Sequence, residues 1–555
     1  MLDKALDIIR IALYALAVMV ALLLYQAWEK EHPTPVAATS TEQTSVASDR
    51  FVPNASVPVN AAPSTTLTST AVAPPSSVGQ QVTVKTDVMT LTLDTQGGDI
   101  IGSTLNQYPE TLGSAVPFTL LTNNPDTRYI AESGLLGFDG PDTKAAQAVY
   151  TADQNNYVMA DGQNTLTVTM HWNKYNLFVT KSFTFTRGSY EVKVHYDITN
   201  KQNSIWQGNL YTQLVRTNTP PATHSGMMNL ATYFGAAISS PEKPYEKITF
   251  KQMQESNLNK VIQNGWAAMI QHYFISAWVP PKDATSTYYS RVSSNGLYTI
   301  GMVGNTINVG PSQTGSIDAK FYTGPALAGP LAATAPGLQL TIDYGWLWFI
   351  SAAIFWMMQH IYDVIGNWGW SIVLVTIIIK AMFYGLSAKS YRSMSMLKRL
   401  QPKMEALKQR HGDDKQKLTQ ATLELYREAK VNPMGGCLPI LVQIPVFIAL
   451  YWVLVESVQL RQAPFIFWIH DLSQRDPYYI LPVLMGISMF IQQRLNPPPP
   501  DPMQAKVMML MPVVFTALFA NFPSGLMLYW FVNNTLSFTQ QWFVMRQIEK
   551  ENGKA

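Results

Sequence analysis

"SIVLVTIIIKAMFYGL", residues 371–386, is apolar enough for a membrane-spanning helix at every position except Lys380. A charge facing lipid at that depth costs roughly 2.5–3.5 kcal/mol on insertion scales, so such residues normally face a bundle interior or a water-filled cavity. With the chain entering from outside near Gly369, Lys380 stands about two thirds of the way in. Six residues remain, about 9 Å at the helical rise. A lysine stem covers much of that distance, so snorkelling to the inner headgroups and lining a polar groove both remain open. Thr376 lies one turn away on the same face. Other apolar segments add Gln443, Asn533, Asn534, Ser537 and Gln540, but none carries Asp or Glu in its interior. Proton relays and cation sites use intramembrane carboxylates, which counts against a pump or cation transporter.

Working outward, five apolar segments follow one another at about 369–386, 434–455, 477–494, 507–521 and 524–545, several of them short or interrupted by Pro and Gly. The fourth and fifth, separated by "NFPSG", form a helical hairpin. The loop at 387–432 holds eleven basic against five acidic residues, among them Lys398, Arg399, Lys403, Lys408 and Arg410, and must therefore be cytoplasmic. Within it Leu397, Leu400, Met404 and Leu407 keep helical spacing, "HGDDK" breaks it, and Leu418, Thr422 and Leu425 resume it, which predicts a second hairpin. Its charge suits a solvated face equally with a site for anionic lipid headgroups or a ribosome. Just before the core, residues 343–367 carry Trp346, Trp348 and Trp356 with polar punctuation, the pattern of an amphipathic helix lying in the interface.

Toward the N-terminus the chain changes character. Residues 1–30 place Lys4 and Arg10 before an apolar run that exits through Trp28 without a cleavage site, which predicts an uncleaved signal anchor with its N-terminus inside. Residues 31–80, rich in Pro, Ser, Thr, Ala and Val without periodicity, predict a disordered tether. From residue 81 to 342, period-two runs such as "NTLTVTMHWN" and "LFVTKSFTFTRGSYEVKVHYDI" predict a large antiparallel β-sandwich on the outer side. Its acids fall at turns and its histidines are isolated, so no catalytic constellation emerges.

Composition narrows the functions further. A net charge of +3 gives no argument for nucleic acid, and one cysteine, Cys437, excludes an internal disulfide and a cysteine-based metal site. No GxxxxGK[ST] occurs, so no nucleotide is hydrolysed through a P-loop. An unpaired cation in a groove open to the cytoplasm attracts acidic groups in a short polypeptide tail about to cross, and short spans lower the barrier. These features predict an insertase with no cofactor and no metal, not an enzyme. A small-solute channel or transporter using the same groove is the alternative.

The run "KVNPMGGCLPILVQIPVFIALYWVLVESVQLRQAPFIFWIHDLSQRDPYYILPVLMG" (430–486), with "GNWGWSIVLVT" before it and "FPSGLMLYWFVNN" after it, closely resembles the Oxa/Alb/YidC membrane insertases of Gram-negative type. The resemblance implies a multi-domain membrane protein: an anchor helix, a periplasmic β-super-sandwich and a five-span core over 368–548, with a cytoplasmic tail at 549–555. It implies insertion of inner-membrane proteins alone or with the Sec translocon, including SecD and SecF, and contacts of the hairpin and tail with nascent chains and ribosome. It also implies a hydrophilic groove whose cation, usually arginine in the family, is here Lys380. Lysine keeps the charge but not the bidentate fork. By motif, contacts to an emerging substrate fall on Ile444, Phe447, Tyr529 and Trp530, beside Thr376, Gln443 and Asn533.

Overall fold

Alternation decides the outer domain. In Thr165–Lys174, Leu166, Val168, Met170 and Trp172 are buried while Thr165, Thr167, His171 and Asn173 are exposed, the signature of a strand with one face on a core. The computed structural model describes residue 53 and residues 79–143, 147–220, 232–411, 414–429, 438–496 and 502–552. The expected anchor helix, the tether apart from its last residues and Pro53, Cys437 and the last tail residues lie outside these.

Among the described residues two large sheets face each other. One runs Asn259–Gln263, Thr285–Val292, Leu297–Val309, Trp206–Thr217, Tyr129–Gly137, Asp99–Pro109, Met89–Asp94, Gln81–Lys85, Asn156–Val158, with Pro117–Leu121 attached to Asp99–Pro109. The other runs Glu246–Ile248, Phe234–Ile238, Ala267–Gln271, Phe274–Val279, Gln313–Pro325, Glu191–Asn200, Leu177–Thr186, Thr165–Lys174, Thr151–Ala152. Pairing is antiparallel except between Gln81–Lys85 and Asn156–Val158. The central strand Trp206–Thr217 is buried at all but its second and last residues, as a strand covered on both faces must be.

The helical region follows Tyr344. A lateral helix, Trp348–Ile365, ends on Gly366 in the left-handed conformation and packs Ile354 and Met358 inward, while Trp348 and Trp356 stay more than half exposed. The first core helix, Trp368–Met382, starts on Asn367, whose side chain caps the Trp370 N–H. It stops at Phe383, and the next helix, Tyr384–His411, departs at 66°. Gly385 stands two residues past the break, and the Gln540 amide donates to the Tyr384 carbonyl at 3.0 Å, tying the start of the new helix to the last core helix. Lys415–Glu428, capped by Asp414, folds back along Tyr384–His411, with the Tyr426 hydroxyl on Met404 Sδ. The remaining core helices are the second, Leu438–Glu456, the third, Ile480–Leu495, the fourth, Pro502–Phe519, and the last, Ser524–Asn552.

Glycine sets two close approaches between these elements. A Cβ on Gly369 would lie 2.0 Å from the Phe465 ring, and one on Gly486 would lie 2.1 Å from Thr516 Oγ1. Among the described residues no single helix is both long and apolar enough to cross a membrane; the bent pair Trp368–Met382 and Tyr384–Arg410 passes together. The outer domain is fastened to the loop after the second core helix. There Arg461 donates to the carbonyls of Pro109 and Glu110 at 2.8 and 3.0 Å, and just before it the His272 ring bonds the carbonyl of Val455, in the last turn of that helix, at 2.8 Å.

Candidate functional site

The last core helix carries Tyr529, Asn533, Ser537 and Gln541, each four residues after the one before, so they form one buried polar stripe. Opposite it, Thr376 and Lys380 stand at the same spacing on the first core helix. The Lys380 ammonium donates to Ser537 Oγ at 2.6 Å, and Ser537 in turn donates to the Asn533 carbonyl at 2.7 Å. The Tyr391 side chain also lies beside Ser537. No carboxylate pairs with Lys380 among the described residues. Thr376 returns its hydroxyl to the Ile372 carbonyl at 2.6 Å, which satisfies it without a partner across the groove. Gln443, on the second core helix, faces the Tyr529 side chain across the cavity.

Thr376, Lys380, Gln443, Tyr529 and Asn533 line one cavity, closed by Phe383, Leu386 and Val446. Its volume is about 30 Å³, room for one or two waters. Phe447 and Trp530 stand beside it in an aromatic cluster: Phe447 lies 4.7 Å from Trp530 and 6.4 Å from Tyr529, and Trp530 lies 4.8 Å from Phe519. Ile444 does not reach the cavity and is 46% exposed on the outer surface of its helix. Lys398, Arg399, Lys403, Lys408 and Arg410 are all exposed along Tyr384–His411, well separated in sequence from the cavity. Tyr391 is the member that sequence reasoning left out of the site; Ser537 stood among the polar residues singled out in the apolar segments, and the four-residue stripe places it opposite Lys380.

A second buried polar group sits between the sheets of the outer domain, where acids were expected at exposed turns. Lys181, wholly buried, donates to the carbonyls of Gly97 and Ser133 at 3.1 and 2.8 Å. Asp142 accepts the N–H groups of Leu135 and Ala148 at 3.0 and 3.1 Å. Burial pushes the Asp142 carboxyl up to about 7, with the Asp99 charge adding to the rise, and burial draws the Lys181 ammonium down to about 8. The group is enclosed between the sheets and these bonds run to neighbouring backbone, so it serves the fold.

The comparisons agree on one family. The profile described as "YidC periplasmic domain" matches residues 81–357, and the one described as "60Kd inner membrane protein" matches residues 360–551. A "Membrane protein insertase YidC" from Legionella pneumophila (strain Paris) is 47% identical over 548 residues, covering 98% of each chain. One of the same description from Pseudomonas fluorescens (strain SBW25) is 45% identical over 557 residues, covering 99% of this chain and all of its own. A solved structure described as an active YidC insertase with its first transmembrane domain resolved covers 83% of this chain and 94% of its own, at 18% identity and a TM-score of 0.37.

Proposed function

The chain belongs to the YidC family of membrane protein insertases, inner-membrane proteins with a periplasmic domain, and from that premise we propose that Lys380 is the groove cation that draws acidic segments into the bilayer. The chain is an insertase and not an enzyme. Its clients, in this reading, are nascent inner-membrane proteins, taken alone or from the Sec translocon with SecD and SecF.

The observation that carries the reading is a partly buried ammonium held by one serine hydroxyl and by no carboxylate among the described residues. A buried charge without a counterion is costly to keep, and it gains most when a mobile anion arrives. The cavity is small in this state, so an entering segment must part the first, second and last core helices and exchange its own carboxylate for Ser537. Short helices support a locally thinned bilayer: the 15 residues of Trp368–Met382 span about 22 Å, against a hydrocarbon core of about 30 Å.

The proposed topology has six spans, the N-terminus and the basic hairpin in the cytoplasm and the β-domain outside, because every basic cluster then falls on the inner side. The exposed basic residues of Tyr384–His411 would receive a ribosome or anionic lipid. Phe447 and Trp530 would offer apolar contact to the segment once it has passed Lys380, with Ile444 touching lipid or client from the outer face.

Purified protein reconstituted in liposomes tests this directly. It should promote insertion of a one-span protein with an acidic translocated tail. Equal insertion into protein-free liposomes would defeat the reading.

A further inference from the structure

The second core helix ends on Glu456, one residue past the apolar run of 434–455, and there it meets the β-domain. Val458, 1% exposed, packs into the hydrophobic core of the sandwich. The Tyr344 hydroxyl lies 3.3 Å from Ser457 Oγ, and the Gln462 amide donates to the Pro109 carbonyl at 3.2 Å, adding to the bonds of His272 and Arg461. One side of this joint is the β-domain; the other is the helix that carries Gln443 and Phe447 to the groove.

Glu456 is 6% exposed within the joint. It faces Asp343 and Lys247, yet among the described residues no cation comes within ion-pair distance of its carboxylate. The Lys247 ammonium is paired with Asp343 instead. The other titratable neighbours are Tyr245, whose buried hydroxyl has no hydrogen-bond partner, and Tyr273, Tyr344 and Tyr451. Tyr273 also faces Asp471 and Arg461, and His272 before it is turned to the Val455 carbonyl. One lysine thus serves two carboxylates. Glu456 also ends a helix, where unsatisfied carbonyls already carry partial negative charge. Burial, and after it the Asp343 charge, raise the Glu456 carboxyl to about 8, with Lys247 opposing them.

We propose that this joint is a proton-controlled latch: Glu456 seats the β-domain on the second core helix while it carries its proton, and unseats it when the bare carboxylate draws in water. In water the carboxyl has its ordinary value of 4.5. Between that value and about 8 the seated joint holds a proton that the unseated one releases. Seating is therefore firmest below about pH 4.5 and weakens by up to about tenfold per pH unit as pH rises to about 8. Through Gln443 and Phe447 on the same helix, the pH outside the membrane would reach the groove. That last step rests on the insertase reading; the latch itself does not.

The test is hydrogen exchange of the full chain in lipid nanodiscs between about pH 6 and pH 8, corrected for intrinsic exchange rates. The N–H groups of Ser457, Leu460 and Arg461 are bonded to the carbonyls of Val453, Ser457 and Val458, so their protection reads opening of the joint. In the parent it should fall about tenfold per pH unit. In Glu456→Gln, which keeps the shape and has no proton to lose, it should not change with pH. Asp142→Asn should leave the parent's slope in place, since Asp142 lies between the sheets and not in the joint. A flat profile in the parent would overturn the proposal, as would a slope that survives in Glu456→Gln, which would assign the proton to another group. Asp343→Asn decides the matter even where Glu456→Gln does not fold: with the like charge gone and Lys247 free to pair with Glu456, the slope should shrink, and an unchanged slope would overturn the latch. Liposome insertion measured in parallel separates the two claims: a flat profile with insertion intact overturns this one alone.

Discussion

Replacing Lys380 with methionine should move stability and function in opposite directions. The methionine side chain fills nearly the same space, and Ser537 keeps its bond to the Asn533 carbonyl, so no hydroxyl is left unpaired. What disappears is a partly buried ammonium whose desolvation costs up to several kcal/mol, offset by a charge-assisted bond to Ser537 worth about 1.5–3 kcal/mol. The net expectation is a gain of about 1–3 kcal/mol, or about 2–4 °C in Tm per kcal/mol for a region of this size. Function loses the attraction instead. A carboxylate about 4 Å from the ammonium at an effective dielectric near 20 gains at most about 4 kcal/mol. Halved for water and screening, that is about 2 kcal/mol, or about 30-fold in insertion rate. The assay is liposome insertion of paired clients with acidic and neutralised tails, beside thermal unfolding in detergent. Lys380→Met should slow the acidic client, spare the neutral one and raise Tm. Unchanged insertion of the acidic client, or a lower Tm, would refute the reasoning and return Lys380 to snorkelling.

Lys380→Arg should retain insertion of the acidic client, since the charge survives; a loss as large as that of Lys380→Met would show that shape rather than charge decides. Ser537→Ala removes the hydroxyl that holds Lys380 and should cost about 1–2 kcal/mol of stability, seen as a lower Tm, while acidic clients still insert. Arg461→Ala should loosen the β-domain from the core by about 2 kcal/mol, read as faster hydrogen exchange around residues 105–121 with the sandwich core unchanged. Asp142 carries a pH signature: its folded carboxyl is raised to about 7 from 3.8, so between those values the folded state holds a proton that the unfolded chain has released. Its contribution to stability is therefore greatest below about pH 4 and falls as pH rises to about 7, by at most about 1.4 kcal/mol per pH unit. Asp142→Asn should flatten that slope in urea titrations of the β-domain transition, while lowering stability because an amide oxygen replaces only one of the two acceptors.

The two-sheet domain was legible because Leu166, Val168, Met170 and Trp172 alternate with polar residues, a local pattern with a local cause. Strand order was not, since Trp206–Thr217 lies beside Leu297–Val309, a pairing across some eighty residues that no periodicity encodes. Lys380 announced itself by interrupting an apolar run. Ser537 stood out as a polar residue in an apolar segment, but its pairing with Lys380 did not, because a serine inside a helix ordinarily returns its hydroxyl to its own backbone. The 66° break at Phe383 is marked in the sequence only by Gly385, two residues on, and the bond that Gln540 gives Tyr384 there comes from a helix more than 150 residues away. Asp99 follows Gly97–Gly98 and Asp142 follows Gly140–Pro141, so both read as turn acids; their burial comes from the way the chain folds back between the sheets.

Site-specific crosslinking during insertion addresses the groove most directly. A photoreactive residue at Gln443, facing the cavity, is compared with one at Ile377, which is 41% exposed on the outer surface of the first core helix. With a ribosome-bound, acidic-tailed client, the account predicts strong capture from Gln443 that fades in Lys380→Met and weak capture from Ile377. Capture from Ile377 alone, or capture from Gln443 indifferent to the charge at 380, would contradict it.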